Sequence, residues 1–463
     1  MRLDPRLFLA GWLALALLPQ AEGASGAWFS TGRSPLPIVP PATYPGQPAW
    51  TLESAVQRAL DANPDVVAAR KEIEQQEGIK LQYKARLLPH GGLNYRYQDE
   101  QNSLLMFLPT IPVYPLTTMS WLGSVGIQQT ILNVSVVKEA RQQRFLLERS
   151  VWLALDAALR TTAKVKQAFA QLLYRRNVVA IREELLEASR LIAESVGKQA
   201  RAGEIPPFQA LSSAAEFETA KAELAQAREQ SIEAQEQLRM LLNLPSRTEQ
   251  EGLPVLGDLE LSPFDVPYEE ALRLALTKKT DLQAAHAAVR AADASVAAAK
   301  ASFFPTVDGF AQYEVINNVY LNFPQNGWLG GAQGQWALFN IVENNGKIEA
   351  QKAARQVAEV RRTQIEMEIP AQLRALYQQL ERAREAALAQ RRSTEDASKG
   401  LDQAVRLFQS GETNWVQSVT ARQALLRARI GLEDQKFRYA YALAQIEYAV
   451  GGQLPRSRPG GNP

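Results

Sequence analysis

The stretch KASFFPTVDGFAQY, Lys300 to Tyr313, changes its period halfway along. Upstream lie some thirty residues without glycine or proline, with apolar side chains three and four apart, the spacing of an amphipathic helix. Downstream the pattern alternates residue by residue, as a half-buried strand does. Pro305 marks the switch, because proline lacks an amide hydrogen and biases the residue before it toward extended backbone. The same change occurs at KARLLPHGGLNYRY, Lys84 to Tyr97. Once it would be a loop; twice, at a shift of 216, it is a repeated architecture.

Aligning Glu53–Tyr97 with Glu269–Tyr313 without a gap gives eleven identities in 45 positions, against about three expected by chance. A second anchor is WLGSVGIQQTILN (Trp121–Asn133) against WLGGAQGQWALFN (Trp328–Asn340). The chain therefore reads as two copies of one unit, 50–245 and 266–450.

Each copy predicts one helix of about 35 residues, near 52–86 and 268–302, with Thr51 as N-cap of the first. A strand, a turn-rich loop and a second strand follow, near 91–100 and 120–132, then near 306–316 and 328–339. Two long helices end each copy, about Ser135–Ala200 and Phe208–Leu242, then Asn345–Gln409 and Asn414–Val450. At 1.5 Å per residue the longest reach on the order of 100 Å. Pro370 is expected to interrupt or kink its helix. The Ala-rich segment Ala284–Ala301 allows close approach of a neighbouring helix.

Composition removes other classes of answer. The 463 residues are 46% hydrophobic and 22% charged, and 51 Lys and Arg stand against 49 Asp and Glu. A net charge of +2 offers no broad basic face, so nucleic acid is not an expected partner. With no cysteine and two histidines, His90 and His286, no disulfide, metal site, cofactor or catalytic residue is expected. Enzymatic activity is the weakest class.

The N-terminus reads as an address. Arg2 and Arg6 precede the apolar run LFLAGWLALALL and the small residues of AEGASG, as in a secretory signal peptide over 1–24. A proline-rich segment follows over 25–49, expected to be extended, and 451–463 reads as a flexible tail. No cysteine follows the signal, so lipidation as a lipoprotein is not expected.

The strands carry two faces. Leu93, Tyr95 and Tyr97 alternate with Asn94, Arg96 and Gln98; Val307, Ala311, Tyr313 and Val315 alternate with Asp308, Phe310, Gln312 and Glu314. Trp121, Trp328 and Trp336 add aromatics beside glycines. Such a sheet could lay one face on a core, or form a membrane barrel with an apolar, aromatic-girdled outside and a polar inside. Four strands cannot close a barrel, for which about eight are needed. A barrel would have to be shared among subunits.

The twice-repeated order of helix, LLP or FFP, strand, loop, strand ending ILN or LFN, and two long helices meeting at a glycine turn resembles the TolC family of outer-membrane efflux channels. The resemblance covers nearly all of the chain after the signal. It implies a mainly α fold with a small membrane β part: a homotrimer in which four strands per protomer complete a twelve-stranded barrel in outer-membrane lipid, continued by a periplasmic α-helical barrel. It implies a passive exit duct that docks to a periplasmic adaptor and an inner-membrane pump, of resistance-nodulation-division type in preference to ABC type. The chain contains no phosphate-binding loop, so energy would come from the pump. The competing reading is a periplasmic coiled-coil adaptor or scaffold, which has no need of two aromatic hairpins.

Carried over by residue, the resemblance makes Arg201, Gly203, Glu204, Arg406, Gly411 and Glu412 the adaptor-facing tips. Gln209, Ser212, Gln417 and Thr420 become candidates for the periplasmic constriction, and Tyr95, Tyr97, Trp121, Tyr313, Trp328 and Trp336 the membrane aromatic belt. Some family members narrow the entrance with aspartates, whereas these four positions are amides and hydroxyls. Closure is therefore expected to depend weakly on pH between about 4 and 8, since amides and hydroxyls do not titrate there.

Overall fold

The computed structural model describes residues 49–102, 116–245, 252–261, 263–318, 325–336, 340–410, 412–413 and 415–452. The signal and proline-rich segments up to residue 48, Gly411, positions 337–339 at the end of the fourth expected strand, and the tail beyond 452 lie outside these residues. Eight helices and four strands follow one another among the described residues: α1 Leu52–Ala62, α2 Pro64–Ala85, β1 His90–Asn102, β2 Leu116–Leu132, α3 Val134–Arg201, α4 Pro207–Leu241, α5 Tyr268–Lys278, α6 Thr280–Ala301, β3 Thr306–Asn318, β4 Gln325–Gln335, α7 Ile341–Gln409 and α8 Trp415–Val450. Order and type repeat across the two halves.

One expectation is corrected in each copy. The single helix expected near 52–86 is two helices, broken at Asn63, and that near 268–302 is broken at Lys279. Pro64 at the first helical position of α2 denies α1 its next hydrogen bond. Asn63 fills the gap: its Oδ1 accepts from the Asp65 amide at 3.0 Å and its Nδ2 donates to the Leu241 carbonyl at 2.8 Å, at the end of α4. At the second break the end of α8 takes the same place. Gly451 has φ +86, and a Cβ there would lie 2.6 Å from the Lys278 carbonyl oxygen. Only glycine fits a left-handed turn pressed onto backbone. Thr51 caps α1 as expected, in a reciprocal capping box with Ser54.

Pro370 does not interrupt its helix; α7 runs through it. Ile369 and Leu373 on either side are buried in the core, and that packing holds a turn that proline alone would destabilise by about 3 kcal/mol. The Pro370 carbonyl accepts from the Tyr268 hydroxyl at 3.3 Å.

The helices bury their apolar residues chiefly near the breaks. One cluster joins Ala55 and Ala59 to Phe169, Leu172, Leu238 and Leu242, covered by Leu253 and Val255 of the segment that connects the repeats. That segment is pinned by a short parallel bridge, Trp50 to Val255, and by Arg176 donating to the carbonyls of Val255 and Gly257. A second cluster joins Ala271, Leu373, Leu380, Tyr439 and Ile446. The helix layer has open edges: α3 packs on α1, α2, α4, α6 and α8, while α7 packs on α5, α6 and α8. No described helix is long and apolar enough to cross a membrane.

The strands form one antiparallel sheet in the order β1-β2-β3-β4. Leu93 faces Val125, which faces Tyr313, which faces Trp328. A bulge between Thr130 and Leu132 bends β2 where it approaches α3, and the Thr130 hydroxyl donates to Asp308 at 2.8 Å across the joint.

Candidate functional site

Period-two alternation and this register place Leu93, Tyr95, Tyr97, Trp121, Val125, Ile127, Tyr313 and Trp328 on one face of the sheet. No helix covers it: Leu93 is 66%, Ile127 60% and Trp328 81% exposed. A contiguous apolar face of this kind marks an interaction surface and not a solvated one. The opposite face carries Asn94, Arg96, Gln128, Gln312 and Glu314 together with Phe310. Ser124 is buried there, and Gln312 Nε2 donates to Glu314 at 2.6 Å. Gly126 is required on this side, since a Cβ would meet that of Gln312 at 2.7 Å.

The six expected belt aromatics separate into two levels. Trp336 follows β4, and its Nε1 donates to the Phe303 carbonyl at 3.0 Å, where helix becomes strand. The other five lie farther out, beginning about 24 Å along β3 from Thr306. There Tyr95 stacks on Trp121 at 6.5 Å between ring centroids and Tyr313 meets Trp328 edge-on at 5.1 Å. In both hairpins the tyrosine of the repeat pairs with its tryptophan: Tyr97 with Trp121, Tyr313 with Trp328.

The other end of the molecule is the pair of helical turns. After α3 the Glu204 amide donates to the Gln199 carbonyl at 3.0 Å and the Gly203 amide to Ala200 at 3.2 Å, with Gly203 at φ +78. This is the Schellman arrangement, in which a left-handed residue ends a helix. After α7 the Glu412 amide donates to Leu407 at 3.0 Å, the corresponding bond. Arg201, Gly203, Glu204, Arg406 and Glu412 are all exposed. Val196 and Val419 are buried together, with Ile192, Ile205, Ala210 and Phe408 packed around them, so an apolar clasp holds the two turns side by side. Ser212, Gln417 and Thr420 are exposed and Gln209 half-buried; Thr420 returns its hydroxyl to the Val416 carbonyl at 2.9 Å.

Two groups between clasp and break were not singled out from sequence. A cavity of about 610 Å³ between α3, α4 and α8 is lined by Arg182, Glu216, Arg422 and Asp434, among others. Burial pulls the Arg422 guanidinium below its ordinary range, against the attraction of Glu184, and burial alone pushes the Glu216 carboxyl up. Nearer the break, buried Asp156 accepts from Arg160 at 2.7 Å, Thr280 at 2.9 Å and Tyr448 at 3.1 Å. The signal was present: a lone aspartate inside LALDAAL, flanked by apolar residues, is a carboxylate awaiting donors.

The family profile described as outer membrane efflux protein matches residues 55–244 and again 271–452. The chain belongs to the outer membrane efflux protein family. Its fold is similar to that of a membrane protein from Pseudomonas aeruginosa, with a TM-score of 0.76 at 17% identity over 88% of this chain and 92% of that one. The outer membrane protein VceC of Vibrio cholerae gives 0.73 at 16% over 87% and 96%. The open-state MtrE outer membrane channel of Neisseria gonorrhoeae gives 0.70 at 19% over 87% and 89%. Comparison with curated protein sequences gives no match. As a member of this family with a TolC-like fold, the chain is an outer-membrane protein with its helices on the periplasmic side.

Proposed function

We propose that this efflux-family chain is the passive exit duct of a tripartite export system. The observation that carries the reading is the open sheet with one bare apolar face, fused to helices about 100 Å long. Three copies supply twelve strands to a closed barrel, which removes every sheet edge from lipid, where unpaired backbone groups are costly. The helices continue the wall across the periplasm. The chain is a conduit and not an enzyme, so the pump supplies the energy.

The tip residues Arg201, Gly203, Glu204, Arg406, Gly411 and Glu412 meet the adaptor, and Gln209, Ser212, Gln417 and Thr420 narrow the mouth. Tyr95, Tyr97, Trp121, Tyr313, Trp328 and Trp336 anchor the barrel at the lipid interfaces. A resistance-nodulation-division pump is preferred to an ABC pump. The two repeats, 50–245 and 266–450, are the functional halves of the wall.

Fractionation tests the reading: the protein should be a heat-modifiable oligomer in outer membranes, and release as a soluble monomer would return it to the scaffold class. In planar bilayers the oligomer should conduct, with closure nearly independent of pH from about 4 to 8 because the four mouth residues do not titrate there. A steep conductance change in that window would exclude these residues as the gate.

A further inference from the structure

The cavity between α3, α4 and α8 holds two charges that the protein itself leaves unsatisfied. Six of its lining residues are charged: Arg182 on α3, Glu216 and Glu223 on α4, and Arg422, Arg427 and Asp434 on α8. Arg182 bonds Glu223, and Asp434 accepts from Arg438 at 2.7 Å. Arg422, Arg427 and Glu216 form no ion pair or hydrogen bond among the described residues. Arg427 is exposed and water solvates it, whereas Arg422 and Glu216 are half-buried. Glu184, whose charge attracts Arg422, is committed to Arg429 at 2.7 Å. A guanidinium and a carboxylate that share one cavity, each short of water and bonded to nothing, are groups that an incoming molecule can satisfy.

The rest of the lining suits an apolar body. Leu185, Ile192, Val419, Leu426 and Ile430 form one wall, and about 610 Å³ lies within the range of roughly 300–1,000 Å³ that holds drug-sized ligands. The cavity is also reachable. Arg176 carries the segment that connects the repeats on one side of α3. At about 100° per residue, Leu185, Ser189 and Ile192 stand roughly 160–220° round the helix from it, so the cavity opens on the side away from that segment.

We propose that this cavity is a binding site for an amphiphilic zwitterion, a molecule with an acidic and a basic group at one end and an apolar ring system at the other. The acidic group takes the fork of Arg422, whose paired donors match a carboxylate. The basic group donates to Glu216 from the opposite wall. The ring system lies on Leu426 and its neighbours and displaces water from them. A simple organic anion would satisfy Arg422 and set a second negative charge against Glu216; a simple amine would do the reverse. Only a ligand with both groups relieves both. The site lies within one copy of the chain and does not depend on how copies assemble, so its failure would leave the duct reading untouched.

Three fluorescent probes of equal chain length test it on the full-length protein in an uncharged maltoside detergent. ε-Dansyl-lysine carries both groups, dansylcadaverine the amine alone, and 6-(dansylamino)hexanoate the acid alone. The zwitterion should bind at least tenfold more tightly than either of the others. Arg422→Gln should abolish its advantage over dansylcadaverine without weakening dansylcadaverine itself, and Glu216→Gln should abolish its advantage over the hexanoate without weakening the hexanoate. Equal affinity for the three probes, an advantage that survives either substitution, or no binding of the zwitterion beyond that to empty micelles overturns the proposal. Neither side chain gives the fold a hydrogen bond, so both variants should melt with the parent protein. Where one does not fold, Leu426→Trp decides: its ring fills the apolar wall and should weaken ε-dansyl-lysine at least tenfold, and unchanged binding overturns the site.

Discussion

Replacing Ile127 with arginine tests what the bare sheet face meets. Ile127 pairs with Gly91 and Ala311, and Ala311 lies five residues along β3 from Thr306, where the strand begins. At about 3.4 Å per residue and a tilt near 40°, that is roughly 13 Å above the periplasmic boundary, about half the ~25 Å apolar band of an outer-membrane barrel. A lipid-facing arginine near mid-bilayer costs about 2–4 kcal/mol, roughly 30- to 1,000-fold in the folding equilibrium. Gln128 is its neighbour in sequence, also exposed, and on the opposite face. Gln128→Arg should cost less than about 0.5 kcal/mol. The assay is guanidinium unfolding and refolding in lipid vesicles, with both variants followed by tryptophan fluorescence. Equal penalties, or a larger one for Gln128→Arg, would refute the assignment of the apolar face to lipid.

Further predictions concern the helices. Gly203→Val forces a β-branched residue to φ +78 and should loosen the tip by about 1–2 kcal/mol, seen as roughly five- to thirtyfold faster hydrogen exchange at the Glu204 amide. Asp156→Ala removes three hydrogen bonds to a buried carboxylate and should cost about 3 kcal/mol, while Asp156→Asn costs nearer 1 kcal/mol, as read by denaturant midpoints. Tyr377 donates to the Val266 carbonyl at 3.0 Å, and burial, aided by Glu270, pushes its phenol up to about 12. Because the folded state favours the protonated phenol, its contribution is intact below about pH 10 and lost as pH rises through about 12. Tyr377→Phe should therefore melt slightly lower at pH 8 yet lose less on going to pH 11.5.

Much of this architecture is legible in the sequence because it rests on period. The change at Pro305 and at Pro89, and the alternation of Leu93, Tyr95 and Tyr97, locate strands to within a few residues. The breaks at Asn63 and Lys279 were missed for different reasons. Asn-Pro is a strong local signal, but the apolar spacing runs on across it and masks the break. Lys279 carries no such signal, because its break is made by Gly451 from the far end of the chain. Asp156 announces a buried carboxylate, but its partners Thr280 and Tyr448 are fixed by packing, which no local pattern encodes. The tip residues stand where the glycine turn put them; what binds there depends on a surface the sequence alone does not describe.

The two helix breaks have a mechanical consequence. At that level α1 gives way to α2 and α5 to α6, while α4 and α8 end against the gaps. Among the described residues only α3 and α7 pass through unbroken. A twist applied at the two helical turns would therefore be carried toward the sheet by those two helices, because the other described helices begin or end at the break.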